Sequence, residues 1–120
     1  MNTLPDQETT MEIHQQQQSN VIVLGPVGRL DSLSCREFEA RLLSALEQSG
    51  SVVVDCTALD YISSAGLRAL LVAAKRNRTS GSRLALAALR DSIREVFDIS
   101  GFTTIFAIHP TVEAAVASLS

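Results

Sequence analysis

Apolar positions along this chain change their period repeatedly, and each change marks an element. Residues 1–10 are mostly polar, include Pro5 and show no period, which predicts a disordered tail. Residues 11–16 suggest a weak first strand and residues 21–24 a stronger second one. The glutamine run at 15–18 then falls at the turn of the hairpin between them. Gly25, Pro26 and Gly28 interrupt the pattern, and a helix begins between residues 31 and 34. There Ser34-Cys35-Arg36-Glu37 has the spacing of a capping box, in which Ser and Glu satisfy each other's free donors. Phe38, Leu42, Ala45, Leu46 and Ser49 follow on one helical face, and Gly50 closes it.

Residues 51–55 are a valine run of the kind that suits a strand covered on both faces. A loop over residues 55–64 leads to a second helix with Leu67, Leu70, Leu71 and Ala74 as its buried stripe. Lys75, Arg76 and Arg78 end that helix, placing positive charge at the negative end of its dipole. Residues 83–87 form a fourth strand. Asp91 caps a third helix, with Leu89, Ile93, Val96 and Phe97 facing inward and Gly101 at its end. Residues 104–108 form a fifth strand, and Thr111 caps a last helix lined by Val112, Ala115, Val116 and Leu119. The order ββαβαβαβα predicts an α/β domain over residues 11–120. Its sheet has about five strands and is mainly parallel, with the first strand antiparallel, and it carries four helices.

Composition narrows the function. The 120 residues suit one domain, and with 46% hydrophobic but only 4% aromatic residues its core must be aliphatic. The net charge of −3 comes from Asp6, Glu8 and Glu12, because ten acidic residues balance ten basic ones from Asn20 onward. No basic stripe forms, so nucleic acid is not an expected partner. No leader segment is recognisable, and the apolar runs are far shorter than the roughly 20 residues that span a bilayer. A cytoplasmic location without direct membrane insertion is expected. Cys35 and Cys56 form no CxxC pair and suit no common zinc spacing, so both are expected as reduced, buried or half-buried thiols. Neither a metal nor a cofactor is expected.

Candidate chemistry concentrates in the 55–64 loop, since functional loops of parallel α/β sheets lie at the carboxyl ends of strands. Ser63 and Ser64 sit where a helix starts, beside free backbone N–H groups and the positive end of the dipole. A phosphate on either would be well accommodated, which points to a regulated serine. One of the two is also expected to act as an N-cap, a role worth about 1 kcal/mol. Asp55 and Asp60 invite a paired-carboxylate reading but lack a third ligand. Asp31 suits a helix cap or an interface, and His14 and His109 suit surface or packing positions. A serine hydrolase would need a G-x-S-x-G elbow and a placed histidine. Gly25-Pro26-Val27-Gly28 lacks the Lys-Ser/Thr of a phosphate-binding loop. An enzyme is therefore not expected.

Four segments carry a resemblance: Gly28-Arg29-Leu30-Asp31, the valine strand ending in Asp55, the run from Leu59 to Leu67, and Ile99-Ser100-Gly101-Phe102. Together they make the chain, from about residue 11 to 119, similar to the STAS family. That family includes bacterial anti-sigma factor antagonists and the cytoplasmic tails of sulphate transporters. The resemblance implies the STAS fold and a switch by partner exchange. The unphosphorylated antagonist binds an anti-sigma factor that is a serine kinase of the histidine-kinase-like ATPase type. Phosphorylation before helix two releases it, and a PP2C-type phosphatase restores binding.

The antagonist pattern is commonly Asp-Ser-Ser-Gly, whereas this chain has Ser63-Ser64-Ala65-Gly66. Ala65 cannot take a phosphate. The acceptor then falls to Ser64, which is nearer the helix start, or to Ser63, or the switch is absent. The expected partner surface comprises Asp31, Asp60, Tyr61, Ser63, Ser64, Gly66 and Arg68, with Gly66 permitting tight loop geometry. Two other roles fit the same fold: a constitutive adaptor of a membrane lipid-transport ABC complex, and a partner-switching regulator outside sigma-factor control.

Overall fold

Alternating faces of a five-stranded sheet organise the computed structural model, which describes residues 11–120. The tail expected over residues 1–10 lies outside the described residues. The elements run β1 (Ile13–Gln18), β2 (Val21–Pro26), β3 (Gly28–Leu30), α1 (Cys35–Ser49), β4 (Ser51–Asp55) and β5 (Leu59–Ile62). They continue with α2 (Ser64–Ser80), β6 (Arg83–Ala87), α3 (Asp91–Ser100), a 3₁₀ turn (Phe102–Thr104), β7 (Ala107–His109) and α4 (Val112–Leu119).

The main sheet has the order β1-β2-β4-β6-β7, with β1 antiparallel to β2 and every other neighbour parallel. Side chains alternate across it as the pleat requires. Val52, Val54, Leu84 and Leu86 point into a large core with Phe38, Leu42 and Leu70 from α1 and α2. Val53, Ala85 and Ala87 face the other way, where Ala115 and Val116 of α4 cover them. The valine run of β4 is apolar throughout because both its faces are buried. The predicted fold class holds: four helices on a mixed sheet whose first strand alone is antiparallel.

Several local expectations are corrected. The glutamine run is not a turn. It lies inside β1, and Gln18 pairs with Val21 across a two-residue turn made by Ser19 and Asn20, with Ser19 at φ 58°. β1 is an edge strand with most of its side chains in water, so glutamines are tolerated there. The capping box does not form. Ser34 Oγ donates to the Arg29 carbonyl (2.8 Å) and accepts from Asp31 N–H (3.0 Å), while Glu37 accepts from the N–H of Met11 (3.0 Å). Asp31 is the residue that organises the entry to α1, accepting N–H bonds from Leu33 (3.0 Å) and Ser34 (3.3 Å).

The stripe of α2 is rotated from the expected one. Gly66, Ala69, Leu70 and Ala73 are buried, and Leu67, Leu71 and Ala74 are half-buried. Asp91 is the first residue of α3, not its cap, and the N-cap residue Arg90 makes no side-chain capping bond. The last strand starts later than expected, because Phe102 turns inward to pack edge-on against Phe97 at a centroid distance of 6.0 Å.

Candidate functional site

The segments expected as two loops, residues 25–31 and 55–64, contain a second small sheet in which β3 and β5 pair in parallel. Ser63 N–H extends the pairing by donating to the Leu30 carbonyl at 3.0 Å. The chain leaves β5 straight into α2, so the serines are held by a strand on one side and a helix on the other. Gly66 closes this corner. A Cβ on it would meet the Leu30 carbonyl oxygen at 2.6 Å and Ile62 Cγ1 at 2.8 Å. Its glycine therefore serves close backbone approach, not the loop geometry expected from sequence.

The two serines differ in position. Ser63 is the N-cap of α2, and its Oγ accepts from Gly66 N–H at 3.3 Å. Ser64 is the first helical residue and is exposed. Beside it, a shallow cleft of about 380 Å³ opens between α1 and the start of α2, lined by Cys35, Arg36, Glu39, Ser64, Ala65 and Arg68. Sequence reasoning found Ser64 and Arg68 but missed Arg36 and Glu39. Both lie off the apolar stripe of α1, and only the packing of α1 on α2 brings them to Ser64.

On the other side of the serines, β5 presents Asp60 and Tyr61 outward. The Arg29 guanidinium lies 4.1 Å from the Tyr61 ring centroid and 3.6 Å from Asp31. Asp60 pairs with Arg90 at 2.8 Å, and Arg90 Nε also donates to the Thr57 carbonyl at 3.0 Å. Leu33, in the turn held by Asp31, is 70% exposed, and Tyr61 is 41% exposed. The Asp31 carboxyl is held below its ordinary value of 3.8, first by the Leu33 N–H, then by the N–H and hydroxyl of Ser34 and the charge of Arg29, against a cost in desolvation.

The structure does not bring Asp55 and Asp60 into one constellation. Asp55 accepts from the N–H (3.0 Å) and hydroxyl (2.6 Å) of Thr57, whereas Asp60 is engaged by Arg90. Among the described residues no cluster of three His, Cys, Asp or Glu side chains could hold a metal. His14 pairs with Glu12 at 3.0 Å on the surface, and His109 is half-buried in β7. Cys35 is half-buried at the cleft. Cys56 is fully buried, and burial with the nearby Asp55 charge pushes its thiol up to about 12. Among the described residues no helix is long and apolar enough to cross a membrane.

The STAS domain family matches residues 12–115. The chain belongs to this family. Among its relatives is BtrV of Bordetella bronchiseptica, a candidate anti-sigma factor antagonist by name. It is 42% identical over 92 residues, which span 76% of this chain and 79% of BtrV. The fold matches that of an anti-sigma factor antagonist from Mycobacterium paratuberculosis with a TM-score of 0.83 and 17% identity, covering 92% of this chain and 95% of the other. It also matches the anti-sigma factor antagonist SpoIIAA in its unphosphorylated form, with a TM-score of 0.75, 19% identity, and coverage of 89% and 95%. The phosphorylated form of the Bacillus protein SpoIIAA matches with a TM-score of 0.70, 19% identity, and coverage of 91% and 100%. At such identities the structural likeness speaks for the fold.

Proposed function

We propose that this STAS domain is an anti-sigma factor antagonist of the cytoplasm, a regulatory binding protein that is not itself an enzyme. In its unphosphorylated form it binds an anti-sigma factor that is also a serine kinase of the histidine-kinase-like ATPase type. The kinase transfers the γ-phosphoryl group of ATP to Ser64. The Oγ–P bond forms, the β–γ anhydride bond breaks, ADP leaves and the hydroxyl proton is lost. Release of the partner follows. A PP2C-type phosphatase reverses the step by hydrolysis, returning the hydroxyl and inorganic phosphate.

One observation carries this reading: Ser63 is committed to capping α2, while Ser64 is exposed beside it with its side chain outside that cap. A phosphate on Ser63 would place its bulk on the oxygen that already accepts the Gly66 N–H, at the corner where Gly66 meets the Leu30 carbonyl. A phosphate on Ser64 adds about −1.5 to −2 charges to a folded surface that keeps its hydrogen bonds. The name of BtrV supports the antagonist role, and the two forms of SpoIIAA show that a protein of this fold exists with and without phosphate. The partner surface is Asp31, Asp60, Tyr61, Ser63, Ser64, Gly66 and Arg68, with Leu33 and the cleft residue Arg36 added.

Intact mass and phosphopeptide mapping of the protein from its native cells, under growth and under stress, test the reading. An increase of about 80 Da on Ser64 supports it. A phosphate on Ser63 instead overturns Ser64 as the acceptor, and an unmodified mass in every condition overturns the switch and leaves a constitutive binding module, as in a lipid-transport complex.

A further inference from the structure

We propose that a phosphate on Ser64 is gripped within the chain itself by Arg36 and Arg68, so that modification withdraws two arginines from the partner as well as adding charge. The inference rests on the reading of Ser64 as the phosphorylated serine and names how that site is regulated.

Arg68 stands four residues beyond Ser64 on α2, the spacing at which two side chains share one helical face, with the anion on the N-terminal side. Arg36 is the second residue of α1 and lines the same cleft from the opposite wall. Both arginines are exposed, and neither has an ion-pair partner among the described residues. Three other arginines are ion-paired: Arg29 with Asp31, Arg76 with Glu47, and Arg90 with Asp60. Two arginines outside any ion pair among the described residues thus line the cleft that holds the exposed Ser64. Glu39 also lines the cleft and opposes a second anion there, but the arginines outnumber it.

A phosphoserine has three acceptor oxygens and nearly two charges, which match the forked donors of guanidinium. Before modification these arginines are free to meet carboxylates of an acidic partner surface. After it, they are held in cis. Release then has two causes acting together: the partner meets a phosphate, and it loses the cations it had engaged.

Genetic installation of phosphoserine at position 64 tests the grip without a kinase. Phosphorus NMR titration gives the second ionisation of the phosphate in the full chain, and circular dichroism checks that each variant is folded. In the unsubstituted protein the midpoint lies below the value of about 6 for a free phosphoserine. Arg36→Ala and Arg68→Ala each raise it by about half a pH unit, and Glu39→Gln lowers it. Arg68→Lys restores part of the loss, because charge remains while the forked geometry does not. One midpoint common to all these proteins overturns the grip and means that the phosphate is simply solvated. A Ser64 left unmodified in cells overturns the underlying reading instead, and the titration distinguishes the two failures.

Discussion

Gly66 and Leu30 are in such close contact that the first atom of any side chain at position 66 would lie 2.6 Å from the Leu30 carbonyl oxygen. That oxygen also accepts the Ser63 N–H, so it cannot move away without loosening the start of α2. Gly66→Ala is therefore expected to destabilise the domain by about 1–3 kcal/mol, as overpacking against backbone does. Gly66→Val, with a branched side chain beside Ile62, costs more. Thermal melting followed by circular dichroism measures both. An alanine variant that melts with the unsubstituted protein would mean that β3 shifts freely and does not position the serines.

Ser63 and Ser64 are adjacent but should respond to substitution in opposite ways. Ser63→Ala removes the side-chain cap of α2 and costs about 1 kcal/mol, seen as a lower melting temperature. Ser64→Asp places a negative charge at a helix start, which stabilises by about 0.3–1 kcal/mol, so the melting temperature does not fall. Affinity for the anti-sigma factor does fall in that variant, and Ser64→Ala binds constitutively. Calorimetric titration with the partner decides the matter: equal affinity for Ser64→Asp and Ser64→Ala removes Ser64 as the switch.

Leu33 is a surface leucine fixed in place by the bond from its N–H to Asp31, with most of its side chain in water. Leu33→Ala should leave stability within about 0.5 kcal/mol, because it empties no core position. If the anti-sigma factor covers this turn, burial of the leucine contributes about 1.5–3 kcal/mol to the complex. The variant is then expected to bind about tenfold more weakly or worse. Unchanged affinity would take Leu33 off the partner surface.

The parts legible in the sequence were those with a period long enough to count. Phe38, Leu42, Ala45 and Leu46 are buried on α1 as their spacing implied, and Val52, Val53 and Val54 are buried in a parallel strand. Illegible were features set by contacts far apart in the chain. The β3 strand has three residues, too few to show alternation, and its partner β5 begins at Leu59. Glu37 had the right spacing for a capping box but was drawn away by Met11, 26 residues distant in sequence. The glutamines of β1 suggest a turn in the sequence because polarity marks both turns and sheet edges. At the candidate site Ser63, Ser64 and Arg68 were found from the start of one helix. Arg36 and Glu39 required the packing of another.

Asp31 links this site to pH. Its carboxyl is held below 3.8, chiefly by the N–H of Leu33 and then by Ser34 and Arg29, so the folded state binds its proton less readily than the unfolded chain does. A depressed folded value contributes stability that is fully present above 3.8 and lost as pH falls through the lower folded value. Asp31→Asn removes the charge and with it this dependence. Between pH 5 and 7, about one to three units above that range, the variant is expected to be less stable than the unsubstituted protein. The gap should narrow steadily as the solution is acidified below 3.8. Urea titrations at a series of pH values measure the gap directly. A gap that stays constant down to the acid limit would show that Asp31 acts there only through its shape, with its charge contributing nothing to the turn that presents Leu33.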